Sequence, residues 1–203
     1  MTSRKLVVVT AGLSQPSSTR LLADRLSAAA VDAAGSLGVR LDVRVLELRD
    51  LAHDITNHLL LGFAPPKLEA ALEAVASADG LIAVTPIFTT SYAGLFKSFF
   101  DVVDSGTLDG KPVLIAATGG TARHSLALEH ALRPMFAYLH AITLPTSVFA
   151  ASDDWGGDES EGQLHGRILR AADELAREVA RREPVTVADP FALTTSFEEL
   201  LAS

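Results

Sequence analysis

The segment Thr10-Ala11-Gly12-Leu13-Ser14-Gln15-Pro16-Ser17-Ser18-Thr19-Arg20 gathers hydroxyls, a glycine and an arginine in one short loop. It follows the apolar run Leu6-Val7-Val8-Val9 and precedes a helical pattern that starts near Leu21. A helix start carries unpaired N–H groups and the positive end of the helix dipole, so such a loop suits an anion, typically a phosphate. The candidate ligating residues are Ser14, Ser17, Ser18, Thr19 and Arg20. The loop contains neither G-x-G-x-x-G nor G-x-x-x-x-G-K-[ST], which argues against a dinucleotide-binding turn and a P-loop NTPase. Ordinary capping of the helix by Ser17, Ser18 or Thr19 accounts for the loop equally well, and the loop alone does not choose.

Two further segments have the same character. Thr85-Pro86-Ile87-Phe88-Thr89-Thr90-Ser91-Tyr92 and Thr118-Gly119-Gly120-Thr121 both follow apolar runs and are rich in small or hydroxylated residues. Pro86, Ile87 and Phe88 can form an apolar bed for a flat ring. Thr89, Ser91, Tyr92, Thr118 and Thr121 add polar edges. Gly119 and Gly120 permit close approach of backbone to a ligand.

The elements that must position these loops are read from periodicity. Apolar, β-branched runs at 6–9, 40–48, 80–85, 112–117 and 141–149 alternate with helical patterns near 19–35, 66–78, 92–104, 124–140 and 160–182. Such alternation predicts a parallel sheet with helices on both faces. Runs one, three and four are almost continuously apolar, as central strands are. Run two alternates apolar with charged, and run five contains Pro145, which both suit edges. The expectation is a flavodoxin-like three-layer αβα sandwich with a five-stranded parallel sheet, order 2-1-3-4-5. In that order the ligand crevice lies beyond the carboxyl ends of strands one and three, where flavodoxins hold FMN. All three loops meet there.

Composition narrows the function. A chain of 203 residues is read as one domain, spanning 1–183, followed by a tail, 184–203. Phe191, Leu193, Phe197, Leu200 and Leu201 give that tail an apolar character that favours docking on its own domain or on a second subunit. The formal net charge of −8 and the lack of a basic stripe argue against a nucleic-acid partner. There is no cysteine, so redox chemistry requires a bound cofactor. No signal-peptide pattern or membrane-length apolar run is present, and a cytoplasmic location is expected.

The three loops together resemble the NADPH-dependent FMN reductase family over residues 4–180. The resemblance rests on Ser14–Arg20, on Thr85-Pro86-Ile87-Phe88 with Ser91, Lys97 and Asp101, and on Thr118-Gly119-Gly120 followed by Leu132-Arg133-Pro134. The second of these is similar to the family's T-P-x-Y-x-x-S-x-x-x-x-L-K-x-x-x-D. It implies FMN and NAD(P)H as ligands, hydride transfer from NAD(P)H to FMN, a homodimer or homotetramer, and supply of reduced flavin to a flavin-dependent monooxygenase. Members dock the nicotinamide against the flavin, so a missing dinucleotide fingerprint is no obstacle. The chain departs from the pattern at Gln15-Pro16, where many members have arginine, and at Ile87-Phe88. Arg20 is then the candidate phosphate cation, and Arg123 could meet a phosphate of NADPH or simply be solvated.

No catalytic side chain is nominated, because a flavin would carry the redox chemistry. Two alternatives stand beside the reductase: an FMN-binding electron carrier of flavodoxin type, and an FMN-containing quinone or azo reductase. The carrier is disfavoured because the chain has one Trp and two Tyr, with only Tyr92 in a candidate loop. Tyr92 could stack on the flavin or pack beneath the following helix. The six histidines lack metal-ligand spacing. Lys97 and Asp101 are read as an i,i+4 ion pair. Asp153-Asp154-Trp155-Gly156-Gly157-Asp158-Glu159 is read as a mobile surface loop that could close on the site through Trp155.

Overall fold

The computed structural model describes residues 2–156 and 158–185, with the backbone alone at 158–161. The elements run β1 (Thr2–Thr10), α1 (Ser18–Ser36), β2 (Val39–Glu47), α2 (Ala52–Leu61), α3 (Pro66–Ala76), β3 (Gly80–Phe88), β4 (Ser91–Tyr92) and α4 (Gly94–Asp101). They continue with β5 (Pro112–Gly119), α5 (Arg133–Tyr138), β6 (Ile142–Thr143), β7 (Val148–Ala151) and α6 (Asp158–Ala180). The tail residues expected to dock, Phe191 to Leu201, lie outside the described residues.

The parallel strands are ordered β2-β1-β3-β5-β6, with β7 also paired to β5. This is the expected order, and the strand count rises from five to seven for two local reasons. The fifth strand is split: β6 pairs with Pro112–Val113 and β7 with Ala116–Gly119 of the same neighbour. Pro145 lies in the gap, where its missing N–H cannot join the ladder. The extra β4 is the return arm of a hairpin on β3, pairing Ile87 with Tyr92 and Phe88 with Ser91.

Side-chain alternation sends each central strand's residues to two cores. Leu6, Val8, Ile82, Val84, Leu114 and Ala116 meet Leu22 and Leu26 of α1 and Leu164, Ile168, Leu175 and Val179 of α6. Val7, Val9, Leu81, Ala83, Val113 and Ile115 face Leu68 and Val75 of α3 and the aromatic group Phe96, Phe99, Phe100 and Phe136. Phe96 and Phe100 have ring centroids 4.9 Å apart, as have Phe100 and Phe136, in tilted and edge-on arrangements that suit aromatic quadrupoles. Helix spacing supplies these faces: apolar residues recur three or four apart in α1 and α6.

Two helical segments differ from the sequence expectation. The chain over 52–61, given no element from its pattern, forms α2, which ends at Gly62 in the left-handed conformation. The single helix expected over 124–140 is instead a 3₁₀ turn (Ala122–His124), a π-helical turn (Leu128–Leu132) and α5. A π turn holds one extra residue, which keeps Leu128, Leu132 and Phe136 all buried against the sheet.

The amino-terminal edge of the sheet carries a buried ionic cluster. Asp79 accepts hydrogen bonds from the backbone N–H groups of Lys5 (2.7 Å) and Val185 (2.8 Å). Lys111, only 5% exposed, donates through Nζ to the carbonyls of Val75 (2.6 Å) and Ala76 (2.9 Å), closing the end of α3. Burial pushes the Lys111 ammonium down to about 8, against the opposing pull of Asp79.

Candidate functional site

At the carboxyl ends of β1, β3 and β5 a cleft of about 440 Å³ opens between the three loops. It is lined by Ser14, Ser18 and Thr19 from the first loop, Pro86, Ile87 and Phe88 from the second, and Thr118, Gly119 and Gly120 from the third. Leu13, Ala150, Ser152 and Trp155 complete the wall. A cavity of similar size, about 460 Å³, lies at the other end of the sheet among Asp101, Asp104, Asp109, Tyr138 and His140. That second cavity contains none of the three loops.

The first loop is held by its own small residues. Ser17 is the N-cap of α1, its Oγ accepting from the N–H of Arg20 at 3.2 Å. Gly12 packs so closely on this cap that a Cβ there would stand 2.1 Å from Ser17 Oγ. Any side chain at position 12 therefore displaces the cap. The Nη1 of Arg49 donates to the Leu13 carbonyl at 3.1 Å and braces the loop from the other side. Within the first turn of α1, Thr19 Oγ1 lies 2.8 Å from Thr118 Oγ1, with both residues buried. At the end of β1, Thr10 Oγ1 is buried with no hydrogen-bond partner among the described residues.

The second loop is a tight hairpin. Thr85 Oγ1 accepts from the Ala93 N–H and donates to the Pro86 carbonyl, both at 3.0 Å, fixing where the loop leaves and re-enters the core. Its two-residue turn places Thr89 (φ 48°) and Thr90 (φ 71°) in the left-handed region. That is the twist a β-hairpin needs, supplied here by residues that resist it. In the third loop, a Cβ at Gly119 would approach Phe149 Cζ to 2.9 Å, so glycine allows that ring under the turn.

The structure separates the expected contact residues into two groups. Ser14, Ser18, Thr19, Pro86, Ile87, Phe88, Thr118, Gly119 and Gly120 share the cleft. Ser17 turns to its cap, and Thr121 caps the following 3₁₀ turn by accepting from the Arg123 N–H at 3.4 Å. Thr89 and Ser91 belong to the hairpin and are not on the wall. Tyr92 is half-buried with its ring 6.1 Å from that of Phe96, which is the packing alternative for this residue. Lys97 pairs with Asp101 on α4, away from the cleft.

Arg20 departs furthest from its expected role. Its Nε donates to Asp24 Oδ1 at 2.8 Å, and its Nη1 is bonded to Glu47. The Asp24 hydrogen bond and the two carboxylate charges push its pKa further up, so it stays cationic. It is not part of the cleft wall.

Ser152–Trp155 form a 3₁₀ turn in which Asp154 accepts from the Ala151 N–H (2.7 Å) and pairs with Arg167 (3.1 Å). Arg25 stands over the Trp155 ring, 5.1 Å from its centroid. Leu13, Ala150 and Ser152 were not singled out from sequence. Ala150 and Ser152 follow from the strand-end rule once the fifth strand is seen to end at the same level as the others.

The wall suits an anionic, flat ligand such as FMN. Among the described residues it contains no ionisable side chain, and its polar groups are hydroxyls and backbone donors beside the amino end of a 19-residue helix. Pro86, Ile87, Phe88 and Trp155 supply apolar surface for a ring system. No group of three or more His, Asp or Glu among the described residues is arranged to hold a metal ion, and no described helix is long and apolar enough to cross a membrane.

Comparison with known proteins gives the same direction. Residues 4–156 match the profile of the family described as NADPH-dependent FMN reductase. The chain is 41% identical over 173 residues to an FMN reductase (NADPH) of Pseudomonas aeruginosa, covering 85% of this chain and 90% of that one. It is 38% identical over 173 residues to the NADH-dependent FMN reductase SfnF of Pseudomonas fluorescens, with the same coverage. Among solved structures, an oxidoreductase of Corynebacterium diphtheriae superposes with a TM-score of 0.87 at 45% identity, covering 90% of this chain and all of that one. The matched segment contains all three loops of the cleft, and on these grounds the chain belongs to the NADPH-dependent FMN reductase family.

Proposed function

We infer that this protein is an NAD(P)H-dependent FMN reductase, carrying out NAD(P)H + FMN + H⁺ → NAD(P)⁺ + FMNH₂. The observation that carries this reading is the joining of three surfaces in one cleft. These are a neutral donor set at the start of α1, an apolar bed at Pro86–Phe88, and a glycine turn at 119–120.

Bound FMN supplies the two-electron chemistry itself, so the protein's task is to hold and expose it. Ser14, Ser18 and Thr19 would donate to the phosphate, with the N–H groups of the first turn of α1. Gly119 and Gly120 would let backbone N–H groups approach the polar edge of the ring. Ile87 and Phe88 would support one ring face. Phe88 is 49% exposed, so the cleft is open to solvent at this rim, and a nicotinamide would reach the uncovered ring face from outside.

Two parts of the reading rest on the resemblance. One is delivery of the reduced flavin to a monooxygenase. The other is assembly into a homodimer or homotetramer, for which Leu60 and Leu61 at the end of α2 and Phe63 just beyond it, all more than 60% exposed, offer a covering face. A division into a catalytic domain over 1–183 and a docking tail belongs with that second part.

The test is NAD(P)H oxidation by the purified protein with and without added FMN. Oxidation that rises and saturates with FMN is expected. Bound flavin without NAD(P)H oxidation would replace the reductase with an electron carrier, and a much higher kcat/KM with a quinone would replace the acceptor.

A further inference from the structure

We propose that Asp24 and Glu47 set the phosphate selectivity of this cleft by withholding Arg20 from it, which lowers its preference for FMN over riboflavin. The proposal rests on the reading of the cleft as a flavin site.

Arg20 occupies the third position of α1, directly after Ser18 and Thr19, which both line the cleft. Side chains in a helix lean toward its amino end, so an arginine here is within reach of an anion bound at the first turn. Left to itself it would be the natural countercharge. It is instead engaged on two sides, by Asp24 one turn along the same helix and by Glu47 at the end of β2. The trio carries a net charge of about −1 at neutral pH. A phosphate arriving at Ser18 and Thr19 therefore meets a cluster that is acidic overall, although an arginine lies within it.

Nothing else on the wall restores the missing charge, since the described lining residues are neutral. Recognition of the phosphate falls to hydroxyls, backbone N–H groups and the dipole of α1. The other cations around the cleft are engaged as well: Arg49 is turned to the Leu13 carbonyl and to Asp50, Arg167 to Asp154 and the Phe149 carbonyl, and Arg25 stands over the Trp155 ring. The pairing also has a structural use that explains its presence: it fastens the first turn of α1 to the edge strand β2. Loop geometry is thus gained at the expense of phosphate affinity.

The arrangement makes a directional prediction that a merely structural ion pair does not. Freeing Arg20 should tighten binding of FMN and leave riboflavin unchanged. The measurement is equilibrium binding of FMN and of riboflavin by quenching of flavin fluorescence, without NAD(P)H, for wild type, Glu47→Gln, Asp24→Asn/Glu47→Gln, and that double variant with Arg20→Gln added. The double variant should raise the FMN-to-riboflavin ratio about three- to tenfold at low salt. Adding Arg20→Gln should remove that gain. Glu47→Gln alone, which keeps a hydrogen-bonding side chain, should move the ratio the same way by less.

An unchanged ratio in the double variant, or a gain that survives loss of Arg20, overturns the proposal. Failure of the folded wild-type protein to bind either flavin overturns the flavin reading itself, which separates the two. Raising the salt concentration should compress the gain, because the freed charge is partly exposed.

Discussion

Thr19 Oγ1 and Thr118 Oγ1 lie 2.8 Å apart across the floor of the cleft, tying the first turn of α1 to the carboxyl end of β5. The two residues are 99 positions apart in sequence and both are buried. The bond fixes the distance between the anion-facing loop and the glycine turn, which any ligand spanning both must match. Replacing one hydroxyl leaves its partner buried and unsatisfied, which costs about 1–3 kcal/mol. Thr118→Val should therefore destabilise the protein by roughly that amount, while Thr19→Val/Thr118→Val should lose less than the two single losses combined. Denaturant unfolding of the four proteins measures this. Additive losses would mean that the hydroxyls do not act as a pair.

Ser18 stands free on the wall, in contrast to Ser17, which is committed to its cap. Ser18→Ala should weaken FMN by about three- to tenfold, the worth of one hydrogen bond to a charged group partly exposed to water, and leave riboflavin nearly unchanged. Ser17→Ala should instead cost about 1 kcal/mol of stability through loss of the cap. Isothermal titration with both flavins, alongside thermal unfolding, separates the roles. Equal losses for FMN and riboflavin in Ser18→Ala would remove it from the phosphate contact.

The hairpin turn at Thr89-Thr90 stores backbone strain that glycine would release. Both residues have positive φ, and threonine is β-branched, so each conformation is disfavoured. Replacement of the pair by Asn-Gly, the preferred chemistry for this turn, should stabilise the protein by about 1 kcal/mol. A melting-temperature increase of a few degrees is expected. A decrease would mean that the threonine side chains hold the loop by contacts worth more than the strain.

The contrast between this turn and the first loop shows what sequence can carry. The strand order was legible because burial on both faces leaves a continuous apolar run in β1, β3 and β5, and because charge and Pro145 mark the edges. The nine residues that share the cleft were legible because strand-end loops converge by topology. The hairpin was not, since Thr-Thr is a poor signature for the turn it makes. Helix α2 was missed because only Ile55 of its residues is fully buried, so its pattern is weak. The engagement of Arg20 was not legible for a different reason. Its ion pair with Glu47 spans 27 residues, and a long-range partner leaves no local trace.

Lys111 gives a pH dependence with a definite sign. Its folded pKa is depressed to about 8 by burial, against an ordinary value of 10.5. Below pH 8 the ammonium is charged in both states and the desolvation penalty is felt in full. Between pH 8 and 10.5 the unfolded chain holds the proton more tightly than the folded one, so unfolding free energy rises with pH. The rise is at most about 3.5 kcal/mol, at about 1.4 kcal/mol per pH unit between about 8 and 10.5. Lys111→Met removes this group while keeping its length, at the expense of the bonds to Val75 and Ala76. The difference in unfolding free energy between wild type and variant should grow in favour of wild type from pH 8 to pH 10, with all other titrating groups cancelling. A flat difference would mean that the ammonium is solvated in the folded state and that the carbonyls at the end of α3 are held by water instead.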